Sequence, residues 1–183
     1  MPEIEEYVYE LKIPKERVAI LIGVKGKVKK QLEGYGQCRI EVDSEEGDVK
    51  LSGKDSVKLY MMKDLVKSIG RGFNPDIAQL LLKQDYCLEI VSMNEYANSK
   101  ESMQRLKGRV IGAKGKSRAI IEKLTETFIS VYGKTISIIG TTESVAIAKK
   151  AIVDLLEGGQ HATIYKMLEK AHHELRKREL AGM

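Results

Sequence analysis

Tryptophan is missing from this 183-residue chain, and phenylalanine occurs only twice. With eight tyrosines as the remaining aromatics, a nucleic-acid surface built mainly on stacked rings would be short of parts. Two cysteines, Cys38 and Cys87, stand far apart with no Cys-x-x-Cys spacing. That excludes a disulfide scaffold or zinc ribbon and leaves them as reduced, small apolar side chains. Histidine is confined to His161, His172 and His173. The last two are adjacent and diverge around a helix, so they do not form the i, i+4 pair a metal would want. No cofactor follows from these residues, and no nucleophile–base constellation can be assembled from them. No apolar run approaches the roughly 20 residues of a membrane span. The first six residues, Met1-Pro2-Glu3-Ile4-Glu5-Glu6, are acidic where a secretory leader would be basic. The expectation is a cytoplasmic protein with no membrane segment.

What is present is charge, unevenly placed. The chain carries a net +5. Residues 12–30 hold Lys12, Lys15, Arg17, Lys25, Lys27, Lys29 and Lys30 against Glu16 alone. Residues 100–118 hold Lys100, Arg105, Lys107, Arg109, Lys114, Lys116 and Arg118 against Glu101 alone. The remainder of the chain is therefore acidic. Two basic islands on an acidic body point to two sites for a polyanion such as a nucleic-acid backbone.

The islands mark an internal repeat. Ile22-Gly23-Val24-Lys25-Gly26-Lys27 recurs as Ile111-Gly112-Ala113-Lys114-Gly115-Lys116. An apolar helix pattern precedes each loop (Val18, Ile20, Leu21, Ile22; Leu106, Val110, Ile111), and a basic helix follows it, Lys27 to Glu33 and Lys116 to Glu126. Period-two alternation then predicts a hairpin in each copy: Cys38, Ile40, Val42 into Val49, Leu51, and Ile129, Val131 into Ile136, Ile138. Helical spacing returns at Val57, Tyr60, Met61, Leu65, Ile69 and at Val145, Ala148, Ile152, Leu155, Leu156. Upstream, Tyr7 to Ile13 and Tyr86 to Met93 read as strands. Each copy is thus strand, helix, loop, helix, strand, strand, helix. The predicted organisation is a first domain over residues 1–73, a linker helix over 74–85 (Asn74-Pro75-Asp76 opening Ile77 to Lys83), and a second domain over 86–183. An amphipathic helix around residues 164–175 closes the chain.

A loop that must touch a sugar-phosphate backbone needs close approach, and glycine supplies it together with positive φ. The helix that starts beside the loop turns its free N–H groups and positive dipole end toward the same anion. Lys25 and Lys114 sit inside the two loops and Lys27 and Lys116 just after them. Lys30, Arg109 and Arg118 flank them in the same islands, and all are candidate phosphate contacts. Val110 to Ser117 comes within one residue of a nucleotide-hydrolase phosphate loop but has valine where its first glycine belongs. The first copy lacks the hydroxyl after Lys27. Neither loop completes the motif, which argues against an ATPase.

This element order with its Ile-Gly-x-x-Gly-Lys loop resembles the type I K-homology (KH) domain, present twice in an α+β chain. The resemblance implies that each loop clamps about four nucleotides of single-stranded RNA while their bases lie in a groove between the loop-flanking helices and the strand after them. The candidate RNA-binding residues are then Gly23, Val24, Lys25, Gly26 and Lys27, and Gly112, Ala113, Lys114, Gly115 and Lys116, with the flanking cations. Arg39, at the entry to the following strand, becomes a candidate base reader. Phe128 stands at its place in the second copy, either to stack on a base or to pack under the C-terminal helix. Within two-KH proteins, Arg109 to Thr125, Thr135-Ile-Ser-Ile-Ile-Gly and Gly158-Gly159 to Leu168 resemble the partner-of-Nob-one family in an archaeal form. That resemblance implies a non-enzymatic factor for small-ribosomal-subunit assembly and pre-rRNA processing, working near the 3′ end of the rRNA beside a processing endonuclease. An RNA-binding subunit of an RNA-degrading complex and a general single-strand binder are the alternatives.

Overall fold

The structure is a computed structural model that describes residues 6–182. It divides between Gln84 and Asp85 into two compact units of the same plan. In the first, strand β1 (Tyr7–Lys12) leads to helix α1 (Lys15–Ile22), a tight turn (Val24–Gly26) and α2 (Lys27–Gly36). The hairpin β2 (Cys38–Val42) and β3 (Asp48–Gly53) follows, and then α3 (Ser56–Gly70). The second unit repeats this as β4 (Tyr86–Ser92), α5 (Lys100–Ile111), a turn (Ala113–Gly115), α6 (Lys116–Thr125), β5 (Phe128–Tyr132), β6 (Thr135–Thr141) and α7 (Thr142–Leu156). It adds a long α8 (His161–Ala181).

Each sheet is antiparallel with its last strand in the middle, in the orders β1-β3-β2 and β4-β6-β5. Placing β3 and β6 centrally follows from the sequence, since Val49, Leu51, Ile136 and Ile138 are the most completely apolar alternations and all four are buried. One face of the first sheet meets Leu21, Leu32, Leu59, Met62, Leu65 and Ile69 from its three helices. In the second unit Val110, Ile121, Ala148, Ile152 and Leu155 do the same. Each fully buried Leu or Ile contributes about 1.5–3 kcal/mol, so the 3.6-residue stripes of α3 and α7 fix which way those helices roll. α3 and α7 also start on side-chain caps: Asp55 accepts from the N–H groups of Val57 and Lys58, and Thr141 from that of Ser144.

The segment expected as a linker helix is different. It forms one helical turn, α4 (Pro75–Ala78), then a 3-10 turn (Gln79–Leu82). Ala78 is fully buried in the first unit's core and Leu82 packs against it. Apolar spacing in a stretch this short reports attachment to a core rather than a free helix. The C-terminal helix is longer than its apolar stripe: only Ile164 and Leu168 are buried along it.

Candidate nucleic-acid interface

The two loops match in their torsions. Gly23 lies at φ 72°, ψ 175°, Lys25 at 52°, 30° and Gly26 at 74°, 15°. Gly112, Lys114 and Gly115 lie at 74°, 173°, at 51°, 29° and at 76°, 11°. The glycines have separate tasks. A Cβ on Gly23 would run into the Val28 side chain, and one on Gly112 would sit 2.7 Å from both Cβ and N of Ser117. The first glycine is therefore imposed from within, by the next helix packing against its Cα. Around Gly26 and Gly115 nothing lies within 4 Å of such a Cβ. The second glycine keeps an outward approach clear. Each turn is closed by the N–H of the second glycine donating to the carbonyl of the first, at 3.1 and 3.2 Å. Lysine at positive φ between them costs roughly 1–2 kcal/mol, a strain that holds its side chain outward beside the start of α2 or α6.

Lys25, Lys27, Lys30, Lys114, Lys116 and Arg118 are all exposed. Among the described residues none of them enters an ion pair, whereas Lys12 and Lys15 are taken up by Glu46 and Asp48. The loops thus present unpaired cations, a helix N-terminus and a bare backbone together, the combination a phosphodiester chain requires. Val24 and Ala113 are exposed at the loop tips. A hollow of about 780 Å³ elsewhere on the first unit is lined by Glu10, Glu41, Asp43 and Asp48 with Lys50 as its one cation. Its charge suits no polyanion.

Two residues expected at the interface, Arg109 and Arg39, are engaged within the protein. Arg109 turns inward: its Nε donates to the Leu155 carbonyl at 2.9 Å and its guanidinium also reaches the Gly159 carbonyl. His161 in turn lies 2.8 Å from the Arg109 carbonyl. Arg109 is therefore a clamp on the end of α7 rather than a free phosphate contact. Arg17, weighed in the sequence only as part of a basic island, makes the same clamp in the first unit, to the carbonyls of Ile69 and Phe73, both at 2.7 Å. Each arginine thus ties a carbonyl in the last turn of its helix, Ile69 or Leu155, to one just beyond it, Phe73 or Gly159, and a planar five-donor side chain can serve two at once. Arg39 is 74% exposed on edge strand β2, but its guanidinium pairs with Glu41 at 3.0 Å. Phe128, opening edge strand β5, is 38% exposed and lies outside the second core.

Two residues without a place among the sequence-based candidates connect helix to strand. Glu33 accepts the N–H of Ile40 at 2.9 Å, and Glu122 accepts the N–H of Ile129 at 2.7 Å. Both stand seven residues past the second loop glycine. Their signal in the sequence was that recurrence within basic helices.

A three-stranded sheet with its last strand central, covered on one face by three helices and carrying Gly-x-x-Gly between the first two, defines a tandem type I KH protein. Residues 8–67 match the KH domain family, and residues 87–173 match the family described as PNO1 second KH domain, eukaryotic type (type I). A KH domain-containing protein of Methanocaldococcus jannaschii is 47% identical over 171 residues, covering 91% of this chain and 75% of its own. The crystal structure of Dim2p from Pyrococcus horikoshii shares 39% identity at a TM-score of 0.84, over 90% of this chain and 99% of that one. The same organism's Dim2p in a complex with a/eIF2alpha and rRNA matches at 38% identity and a TM-score of 0.87, covering 92% and 96%. The RNA-binding protein pno1 of Dictyostelium discoideum is 26% identical over 95% of this chain and 75% of its own. The chain belongs to the PNO1/Dim2 family of KH proteins.

Proposed function

We propose that this protein is an rRNA-binding factor of small-ribosomal-subunit biogenesis, that it holds single-stranded rRNA through its Gly-x-x-Gly loops, and that it acts at the 3′ end of that rRNA. The observation that carries the reading is the loop itself, present twice with the same torsions, with exposed cations that no carboxylate among the described residues neutralises. Relatives named as pre-rRNA-processing proteins and a Dim2p captured with rRNA support the choice of RNA. The role is recognition rather than catalysis: each loop would hold about four nucleotides by their backbone, which suits a short unpaired tail whose bases are accessible. A processing endonuclease and the small subunit are the proposed partners, brought together on the RNA that the loops hold.

The test is competition at physiological salt between an oligonucleotide of the small-subunit rRNA 3′ terminus and a scrambled one of equal length and composition. A preference of about tenfold, roughly 1.4 kcal/mol, is expected. Equal affinities would remove the 3′-end assignment and leave general single-strand binding. Addition of Mg²⁺ is expected to leave the RNA retarded and uncut.

A further inference from the structure

The helix α8 continues well past its apolar packing. It covers His161–Ala181 and lies on α6 and α7. His161, at its start, sits 2.8 Å from the carbonyl of Arg109, three residues before Gly112 of the second loop. Arg176, near its end, pairs with Glu126 just past α6. α8 therefore sets out from the loop and runs beside α6 away from it. Its buried residues, Ile164 and Leu168, lie in its first half. The last turns are tied down instead by Arg176 to Glu126 and Arg178 to Glu143, at 3.0 and 2.8 Å. The lysines are sorted the other way. Lys166, Lys170 and Lys177 are all exposed, and among the described residues none of them enters an ion pair. At about 100° of rotation per residue, Lys166, Lys170, His173 and Lys177 fall within roughly 60° of one another, in a row about 16 Å long. Glu169 and Glu174 stand about 40° outside the row, one on each side. The positive surface is thus a narrow stripe rather than a broad patch.

We infer that the outer face of α8 is a second RNA-binding surface, which holds the phosphate backbone of a double-helical segment next to the single strand gripped by the loop. The inference rests on the proposal that the second loop binds single-stranded rRNA. A single strand is held through its bases as well as its phosphates, and rings are what receive them. The stripe and its flanks carry no aromatic ring except the His173 imidazole. What they offer is a line of unneutralised cations at successive helical turns, about 4.5–6 Å apart along the axis. A duplex hides its bases and presents ordered lines of phosphates, so a rigid, narrow line of positive charge is its complement. The division between the two cation types agrees with this. The planar forks of Arg176 and Arg178 grip carboxylates within the unit, whereas lysine, a point charge on a flexible stem, follows a phosphate without fixing a geometry. Because α8 begins beside the loop, Lys166 stands only about 8 Å along the axis from His161. RNA clamped at the loop reaches the stripe within a few nucleotides.

The test uses the full chain and three RNAs, read by fluorescence anisotropy at physiological salt: an unpaired oligonucleotide, and the same oligonucleotide carrying a short hairpin on its 5′ or on its 3′ side. The parent should bind at least one hairpin form about tenfold more tightly than the unpaired RNA alone. K166Q/K170Q/K177Q should melt at the parent's temperature, since its three ammonium groups have no ion-pair partner to lose. It should bind the unpaired RNA as the parent does and lose the gain from the hairpin. The slope of log affinity on log salt for the hairpin form should flatten by about 1 for each lysine engaged. E169Q/E174Q, which removes the flanking carboxylates, should enlarge the gain. A hairpin that adds nothing to the parent's affinity, or a gain that survives in the lysine variant, overturns the inference and leaves the stripe to solvent or to an acidic protein. An equal loss for unpaired and hairpin forms also overturns it, because the lysines would then serve only the general field of the unit. Failure of the parent to bind the unpaired RNA overturns the RNA reading itself.

Discussion

Alanine at the two glycines of the second loop should separate folding from binding. At Gly112 the torsions, φ 74° and ψ 173°, belong to a region that is essentially glycine-only and costs other residues of order 1–3 kcal/mol. The new methyl would also lie 2.7 Å from Cβ and N of Ser117. Ser117 is 1% exposed in the first turn of α6, so the helix start must shift, at a further cost of roughly 1–3 kcal/mol. At Gly115 the left-handed conformation costs alanine about 1–2 kcal/mol, and no clash is added because nothing lies within 4 Å. Gly112→Ala should therefore be the more destabilising by at least about 1 kcal/mol, which shifts the second unit's melting by roughly 4–8 °C for a domain of this size. RNA binding should rank them the other way at a temperature where both are folded. The Gly115 methyl projects into the space through which a phosphodiester would approach, and an affinity loss of about tenfold is expected. The assay pairs thermal melts followed by circular dichroism with anisotropy titration of one oligonucleotide. Equal melting shifts, or parental affinity in Gly115→Ala, would refute the division of labour between the glycines.

The arginine clamp, the loop charges and the two thiols each carry an expectation of their own. Arg109→Lys keeps the charge but loses the fork that spans the Leu155 and Gly159 carbonyls. It should cost about 1–3 kcal/mol in urea unfolding while RNA affinity of the folded protein stays within about twofold, and a large drop in affinity would return Arg109 to the interface. Ala113→Asp with Lys114→Asp places two carboxylates at exposed loop tips. Binding should weaken sharply with little change in melting, and the slope of log affinity on log salt should flatten by about 0.7 for each phosphate no longer neutralised. Burial and the neighbouring Glu33 push the Cys38 thiol up, and burial does the same to Cys87. Native alkylation by iodoacetamide should then be slower than in denaturant near pH 8.5, the ordinary thiol pKa of about 8.5 being exceeded in the fold. Because the folded state holds these protons more tightly than the unfolded one, stability should decline as pH climbs through the ordinary thiol range. Equal alkylation rates would show the thiols to be solvated.

The repeated plan was legible because each element is local in its causes. Alternation at Cys38, Ile40 and Val42 and helical spacing at Val145, Ala148 and Ile152 declare strand and helix without reference to anything distant. The loops were legible for the same reason, since two glycines and a lysine report a backbone shape. Charge was a poorer guide. Arg109 and Lys114 are alike on paper, five residues apart in one basic island, yet one binds carbonyls 46 and 50 residues away and the other faces solvent. That difference depends on where α7 ends, and no local pattern encodes it. Glu33 and Glu122 escaped notice for the converse reason. A single acidic residue within a basic helix passes for surface decoration until the strand edge it reaches is in place. Residues 74–85 misled because Ile77 and Leu80 to Leu82 carry an apolar pattern but not the number of the core they join.

The arginine clamps bear on the order in which the protein is made. Arg17 lies near the start of the first unit, and its acceptors, Ile69 and Phe73, are 52 and 56 residues later. During synthesis the helix carrying Arg17 leaves the ribosome early, and its guanidinium stays hydrated until Phe73 has emerged. Domains generally fold as units, the N-terminal one first, and the first unit cannot complete this clamp until almost all of its chain is available. Arg109 needs the chain only as far as Leu155 and Gly159, which precede α8. The C-terminal helix is thus not needed for the clamp itself, and His161, its first residue, lies against the backbone carbonyl of the clamping arginine.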